Sequence, residues 1–253
     1  MSDVVLRTHA LVKRFGGITA TDDVSLAVGR GARHALIGPN GAGKTTLINL
    51  LTGVSVPTSG RVLLGARDIT TMSPHARVGL GLVRTFQINQ LFNSLTPLQS
   101  LAVAVSSRLD AARRWWQPLG ADAAVAAECE ALLAQFRLVE HADRPTRELP
   151  YGKRRLLEIA LAVALKPRVL LLDEPAAGVP AGERADILAT VAALPDNVSV
   201  VLIEHDMDLV FSFASWITVL VNGTLLTEGT PQAIASDPQV KAVYLGETEI
   251  KHG

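Results

Sequence analysis

Apolar positions along the chain fall into two periods. Val4 to Thr8 and Val24 to Val28 alternate apolar with polar residues, the pattern of half-buried strands, and Gly16-Gly17 and Gly29-Arg30-Gly31 punctuate them. Ala35-Leu36-Ile37 is a short buried strand that runs into a glycine-rich turn, and a helix follows from Lys44 to about Leu51. Gly60 to Leu64 predicts another short strand. From about Leu98 to Leu165 the pattern turns helical and rich in Ala and Leu, broken at Pro118 and Gly120 and again at Arg144-Pro145. Val169 to Leu172 and Val198 to Ile203 are uninterrupted apolar runs, as expected of strands covered on both faces. Trp216 to Val221 and Thr224 to Thr227, joined by Asn222-Gly223, predict a hairpin, and a short helical tail closes the chain. Buried strands alternating with helices imply an α/β core, into which residues 98–165 are inserted as a helical segment.

Composition narrows the function classes. The chain has 253 residues, 48% of them hydrophobic, which is ample for a core and excludes a disordered chain. Lys and Arg together number 24, as do Asp and Glu, so no strong basic field attracts nucleic acid. The mean hydropathy of +0.28 is high. Even so, no apolar run approaches the roughly 18 residues of a membrane span. The excess therefore belongs to a well-filled core or to apolar surface that docks on a partner. The single cysteine, Cys129, excludes an intrachain disulfide, and the first residues show no secretion signal. Both fit a reducing, cytoplasmic location. Cys129 itself reads as a buried small hydrophobe within the Ala/Glu-rich stretch.

The chemistry begins at Gly38-Pro39-Asn40-Gly41-Ala42-Gly43-Lys44-Thr45, which matches G-x-x-x-x-G-K-[ST] and stands between a strand and a helix as that motif requires. Its glycines let backbone N–H groups converge on phosphate oxygens, and the helix N-terminus adds partial positive charge. Lys44 supplies a cation for the β- and γ-phosphates, Thr45 a hydroxyl for Mg²⁺, and Thr46 completes the candidate ATP-contacting set. The buried run ending in Asp173-Glu174 offers the second half of such a site. Asp173 suits Mg²⁺, and Glu174 can orient or deprotonate an attacking water. His205 lies just past the carboxyl end of another buried strand, where ligands bind in open α/β sheets, and can hydrogen-bond a γ-phosphate or that water. His9, His34, His75, His141 and His252 lack this context and read as structural.

Together these pieces resemble the nucleotide-binding subunit of ABC transporters over essentially the whole chain. The resemblance implies that Gln87, in Arg84-Thr85-Phe86-Gln87, is the family's glutamine loop, acting on Mg²⁺ and in catalysis, and that His205 is its switch histidine. It places the ring of Phe15 against adenine. Leu149-Pro150-Tyr151-Gly152 falls where the family has Leu-Ser-Gly-Gly, a segment that covers the ATP of a second subunit, so Tyr151 and Gly152 join the nucleotide-binding set. Pro150 departs from the family pattern by removing both a hydroxyl and an N–H. Pro180 departs as well, where many relatives carry an aspartate.

The fold this resemblance implies is α/β, a P-loop NTPase core with a parallel sheet, an N-terminal antiparallel β subdomain and an inserted α-helical subdomain. Residues 1–253 form one ABC ATPase domain, with about 1–87 and 166–253 as the core and about 88–165 as the helical part. Finer features are similar to the branched-chain and hydrophobic amino acid uptake branch. They are Arg84 to Gln87, the Tyr151-Gly152 pair with Arg154 to Ala160 behind it, and the tail Val240 to Glu247. That branch implies ATP and Mg²⁺, a second and different ATPase subunit, two transmembrane permease subunits and, indirectly, an extracytoplasmic binding protein. It also implies a peripheral place on the cytoplasmic face of the membrane and no nucleic acid. Three other readings stand beside it: an exporter ATPase such as that of lipopolysaccharide export, a soluble ABC ATPase without a transporter, and a regulatory subunit that barely hydrolyses ATP. Arg113-Arg114-Trp115-Trp116 reads either as a contact to lipid headgroups or as an exposed loop.

Overall fold

The computed structural model describes residues 4–85, 91–109 and 122–250, with side chains as far as 244. The described chain forms two compact units. One comprises Met1–Val83, Arg168–Glu174 and Pro195–Gly253, and the other Arg84–Pro167 and Pro175–Leu194. Gln87 and the Arg113 to Trp116 cluster lie outside the described residues.

The first unit holds two sheets. One pairs β1 (Val4–Phe15) with β2 (Ile18–Val24), β3 (Ala27–Gly29) and β5 (Ser59–Leu64), all antiparallel, and β6 (Arg67–Asp68) closes its edge. The predicted strand Val4 to Thr8 is thus longer than expected. The reason is local: Ala10 sits at φ 45° and the register shifts around it, so the alternation that marks a strand is interrupted while the strand continues. The predicted strand Val24 to Val28 is two strands. The buried Thr8 hydroxyl fills the break, donating to the Val24 carbonyl and accepting from the Leu26 N–H.

The second sheet runs β11-β10-β4-β9-β8-β7, with β4 (Arg33–Ile37), β7 (Leu82–Arg84), β8 (Val169–Asp173), β9 (Ser199–Ile203), β10 (Trp216–Val221) and β11 (Thr224–Gly229). β10, β4, β9 and β8 are parallel neighbours, and the β10–β11 hairpin turns at Asn222-Gly223 as the sequence predicts. β4, β8 and β9 are almost wholly buried, which explains their unbroken apolar runs. Helix α1 (Lys44–Thr52) buries Leu47, Ile48, Leu50 and Leu51 against this core, each worth about 1.5–3 kcal/mol. Helix α2 (Pro74–Gly79) follows the first sheet in the chain.

The second unit is helical. α3 (Pro97–Arg108) starts with a Thr96–Gln99 capping box, and α4 (Ala123–Gln135) with Asp122 accepting from the Ala124 N–H. α5 (Tyr151–Ala164) and α6 (Ala181–Ala192) complete it. Cys129 is buried on α4 beside Leu132 and Leu133, in keeping with its reading as a small hydrophobe. α7 (Met207–Phe213), α8 (Pro231–Ser236) and α9 (Pro238–Ile250) return to the first unit. Among the described residues no helix is long and apolar enough to cross a membrane.

Candidate functional site

Four parallel strands point their carboxyl ends to one edge of the sheet. Leu36 pairs with Ile203, Ile203 with Asp173, and Ile37 with Val219, so the residues after β4, β9 and β8 emerge level with one another. The glycine-rich loop, the acidic pair and His205 are those residues.

The loop takes the turn that its glycines permit. Gly43 sits at φ 93°, and a Cβ there would lie 2.4 Å from the Ala20 carbonyl oxygen, so only glycine lets β2 pass this close. Gly41, at φ 79°, has open space where a Cβ would stand. The Ala42 carbonyl accepts from Gly223 at 3.0 Å, which ties the loop to the β10–β11 turn. Lys44 folds along the loop and donates to the Gly38 and Pro39 carbonyls at 2.6 and 2.9 Å. Thr45 and Thr46 occupy the first turn of α1.

At the end of β8 the chain turns sharply. Glu174 adopts φ 47°, a left-handed conformation rare for a non-glycine residue, and its N–H donates to the Ile203 carbonyl at 2.9 Å. That strain is of the kind stored at functional sites. The turn leaves the Glu174 side chain half-exposed, with Oε1 3.7 Å from Nδ1 of His205. Thr45 and Asp173 bring a hydroxyl and a carboxylate, the hard oxygen donors that would suit Mg²⁺.

Phe15 closes β1 opposite Ile18 and is half-exposed, which leaves ring surface for a flat base. The sequence reading gave no part to Lys13, whose ammonium stands 5.0 Å from the Phe15 ring centroid and donates to the Val56 carbonyl at 2.7 Å. The signal was its place two residues before Phe15 on one strand.

In the helical unit, Pro150 stands at the start of α5 with extended backbone and offers no side-chain cap. The Tyr151 hydroxyl donates to the Ala177 carbonyl at 3.1 Å and lies over Gly178, where a Cβ would come within 2.8 Å of it. Gly152 is buried against the Glu183 carboxylate. Pro180 opens α6, again without a side-chain cap. The structure therefore gathers the loop, Asp173, Glu174 and His205 at one edge, with Phe15 on the hairpin beside it. Tyr151 and Gly152 belong to the other unit.

The family model described as ABC transporter matches residues 21–177, and that of the branched-chain amino acid ATP-binding cassette transporter matches residues 224–250. The chain is 41% identical to the high-affinity branched-chain amino acid transport ATP-binding protein BraF of Pseudomonas aeruginosa, over 98% of this chain and 100% of that one. It is 39% identical to the corresponding LivG of Escherichia coli, with the same coverage. Among solved structures, the ADP conformation of an ATP-binding cassette of an ABC transporter superposes with a TM-score of 0.83 at 32% identity, covering 96% and 99% of the two chains. A nucleotide-free cassette superposes with a TM-score of 0.82, also at 32% identity, covering 95% and 98%. A phosphate loop, a strained acidic strand end and a histidine on one sheet edge, in a chain similar to these proteins along nearly its whole length, have one reading: the chain belongs to the ABC transporter family, as an ATP-binding, ATP-hydrolysing subunit of the branched-chain amino acid branch.

Proposed function

We propose that this subunit energises the import of branched-chain amino acids, bound to two permease subunits at the cytoplasmic face of the membrane and paired with a second, different ATPase subunit. An extracytoplasmic binding protein delivers the substrate. The printed functions of the relatives support the substrate class, and the zero net charge and the lack of an apolar span in the sequence support a peripheral subunit without nucleic acid.

The observation that carries the catalytic part is the approach of Glu174 to His205 at the loop's edge of the sheet. ATP lies with its phosphates on the N–H groups of residues 38–46 and its adenine on Phe15. Lys44 carries a positive charge to the β- and γ-phosphates. Mg²⁺, held by Thr45 and Asp173 and, by resemblance, Gln87, neutralises phosphate charge when bound. Glu174 accepts a proton from water as its oxygen bonds to the γ-phosphorus, and the bond from that phosphorus to the ADP oxygen breaks. His205 holds the water or the γ-phosphate in line. The corresponding segment of the second subunit closes the far side, and Tyr151 and Gly152 of this chain do the same for that subunit's ATP.

Glu174→Gln tests this. The amide keeps the shape but cannot take the proton, so ATP still binds while turnover by the assembled transporter falls by about 10²-fold or more. Turnover close to wild type would remove Glu174 from the base role.

A further inference from the structure

β9 ends in a carboxylate that the hydrolysis scheme leaves unused. Glu204 follows Ile203 directly, and its side chain is only 2% exposed, whereas Glu174 across from it is 47% exposed. Oε2 of Glu204 accepts the backbone N–H of His205 at 3.3 Å, and the same oxygen lies 3.8 Å from His205 Nδ1. Glu174 Oε1 reaches the same Nδ1 at 3.7 Å. One ring nitrogen therefore faces two carboxylates. A lone pair on Nδ1 would oppose both, whereas a hydrogen there is attracted by both, and burial of Glu204 strengthens its share.

We propose that Glu204 is a positioning residue that keeps the hydrogen of His205 on Nδ1, which leaves Nε2, on the other side of the ring, as the atom that meets water or phosphate. At 3.7 and 3.8 Å the carboxylates act on the ring by charge, and the nitrogen that keeps the hydrogen leaves the other as the acceptor. Two carboxylates are needed because they differ in task. Glu174, half-exposed, takes the proton of the attacking water and loses its hold on Nδ1 at that moment. Glu204, enclosed and away from the water, keeps its hold throughout the cycle. This assignment rests on the role given to His205 in hydrolysis.

Nitrogen-15 spectra of the histidine rings in the full-length chain provide the test, recorded at mildly alkaline pH, where an ordinary imidazole is neutral. The His205→Ala spectrum assigns the signal. Wild-type His205 carries its hydrogen on Nδ1, and in Glu204→Gln the major form shifts to Nε2. A wild-type hydrogen on Nε2 overturns the proposal, as does a Glu204→Gln spectrum identical to wild type. If Glu204→Gln does not fold, the wild-type spectrum alone still decides. In the assembled transporter, Glu204→Gln lowers kcat by about tenfold or more with little change in KM for ATP. Adding Glu204→Gln to His205→Ala lowers it no further, and a further fall would show that Glu204 acts otherwise than through His205. Full turnover by His205→Ala alone would remove His205 from hydrolysis, an outcome separate from the spectra.

Discussion

Lys44 donates to two carbonyls of its own loop, so one side chain both braces the loop and aims a cation along it. Lys44→Ala loses both effects. Charge-assisted hydrogen bonds are worth about 1.5–3 kcal/mol each, so ATP affinity falls by about tenfold to more than a hundredfold in a titration with a fluorescent analogue. Unchanged affinity would overturn the loop assignment. His34, on β4, is a second residue whose environment sets its behaviour. It is buried, its Nε2 lies 2.8 Å from the Thr218 hydroxyl, and burial pushes its pKa from 6.5 down to about 4. The unfolded chain therefore binds this proton more readily than the folded one between those values, so His34 costs stability progressively as pH falls from 6.5 toward 4. At about pH 5 the cost is about 2 kcal/mol. His34→Gln retains a hydrogen-bonding group but not the titration. Denaturation midpoints measured at about pH 7 and about pH 5 are expected to fall less in His34→Gln than in wild type. Equal losses would place the acid sensitivity elsewhere.

At the scale of elements, α1 depends on a residue far from it in sequence. The Arg77 guanidinium, on α2, donates to the Leu50 and Leu51 carbonyls at 2.7 and 2.5 Å, and also to Met72 and Thr70. α1 carries no basic residue in its last turn, so Arg77 supplies the cation that its C-terminal carbonyls need. Arg77→Met fills similar space but removes the guanidinium from both carbonyls, leaving Leu50 only the Gly53 N–H at 3.4 Å. It is expected to cost about 3 kcal/mol or more in urea denaturation, and a loss under about 1 kcal/mol would show that water replaces the guanidinium. No pattern within α1 announces this clamp, which is why it was invisible in the sequence. The same contrast runs through the fold. β4, β8 and β9 were legible because strands covered on both faces leave unbroken apolar runs, and the β10–β11 hairpin because Asn-Gly suits its turn. β1 was cut short at a bulge, and β7 has only three residues, too few to show a period. In the candidate site, the spacing of the glycines and the charges at strand ends marked the loop, Asp173, Glu174 and His205. The enclosure of Glu204 arises only when distant segments meet, whereas the stand of Lys13 over Phe15 follows from their spacing on β1 and was passed over.

At the scale of the whole molecule, the question is how two ATPase subunits close on ATP. The family resemblance assigns the segment before α5 to the ATP of a second subunit, where a serine normally offers a hydroxyl. Here Pro150 holds that place with no side-chain cap, and the Tyr151 hydroxyl is engaged with the Ala177 carbonyl of its own unit. The N-terminus of α5 remains for the phosphate. A homodimer carries the weakness at both sites. A heterodimer carries it at one, and a partner with serine at this position covers the phosphate loop of this chain in full. The chain is therefore expected to self-associate weakly and to associate more strongly with a different ATPase subunit. The measurement is molar mass by size-exclusion chromatography with light scattering, on Glu174→Gln with ATP and Mg²⁺, alone and with the partner. Each restored hydrogen bond is worth about 0.5–1.5 kcal/mol, and a homodimer has two, so adding Pro150→Ser should tighten self-association by at least about fivefold. A tight homodimer that ignores the added partner would refute the heterodimer. If Pro150→Ser changed nothing, the proline would not be the cause of the weakness.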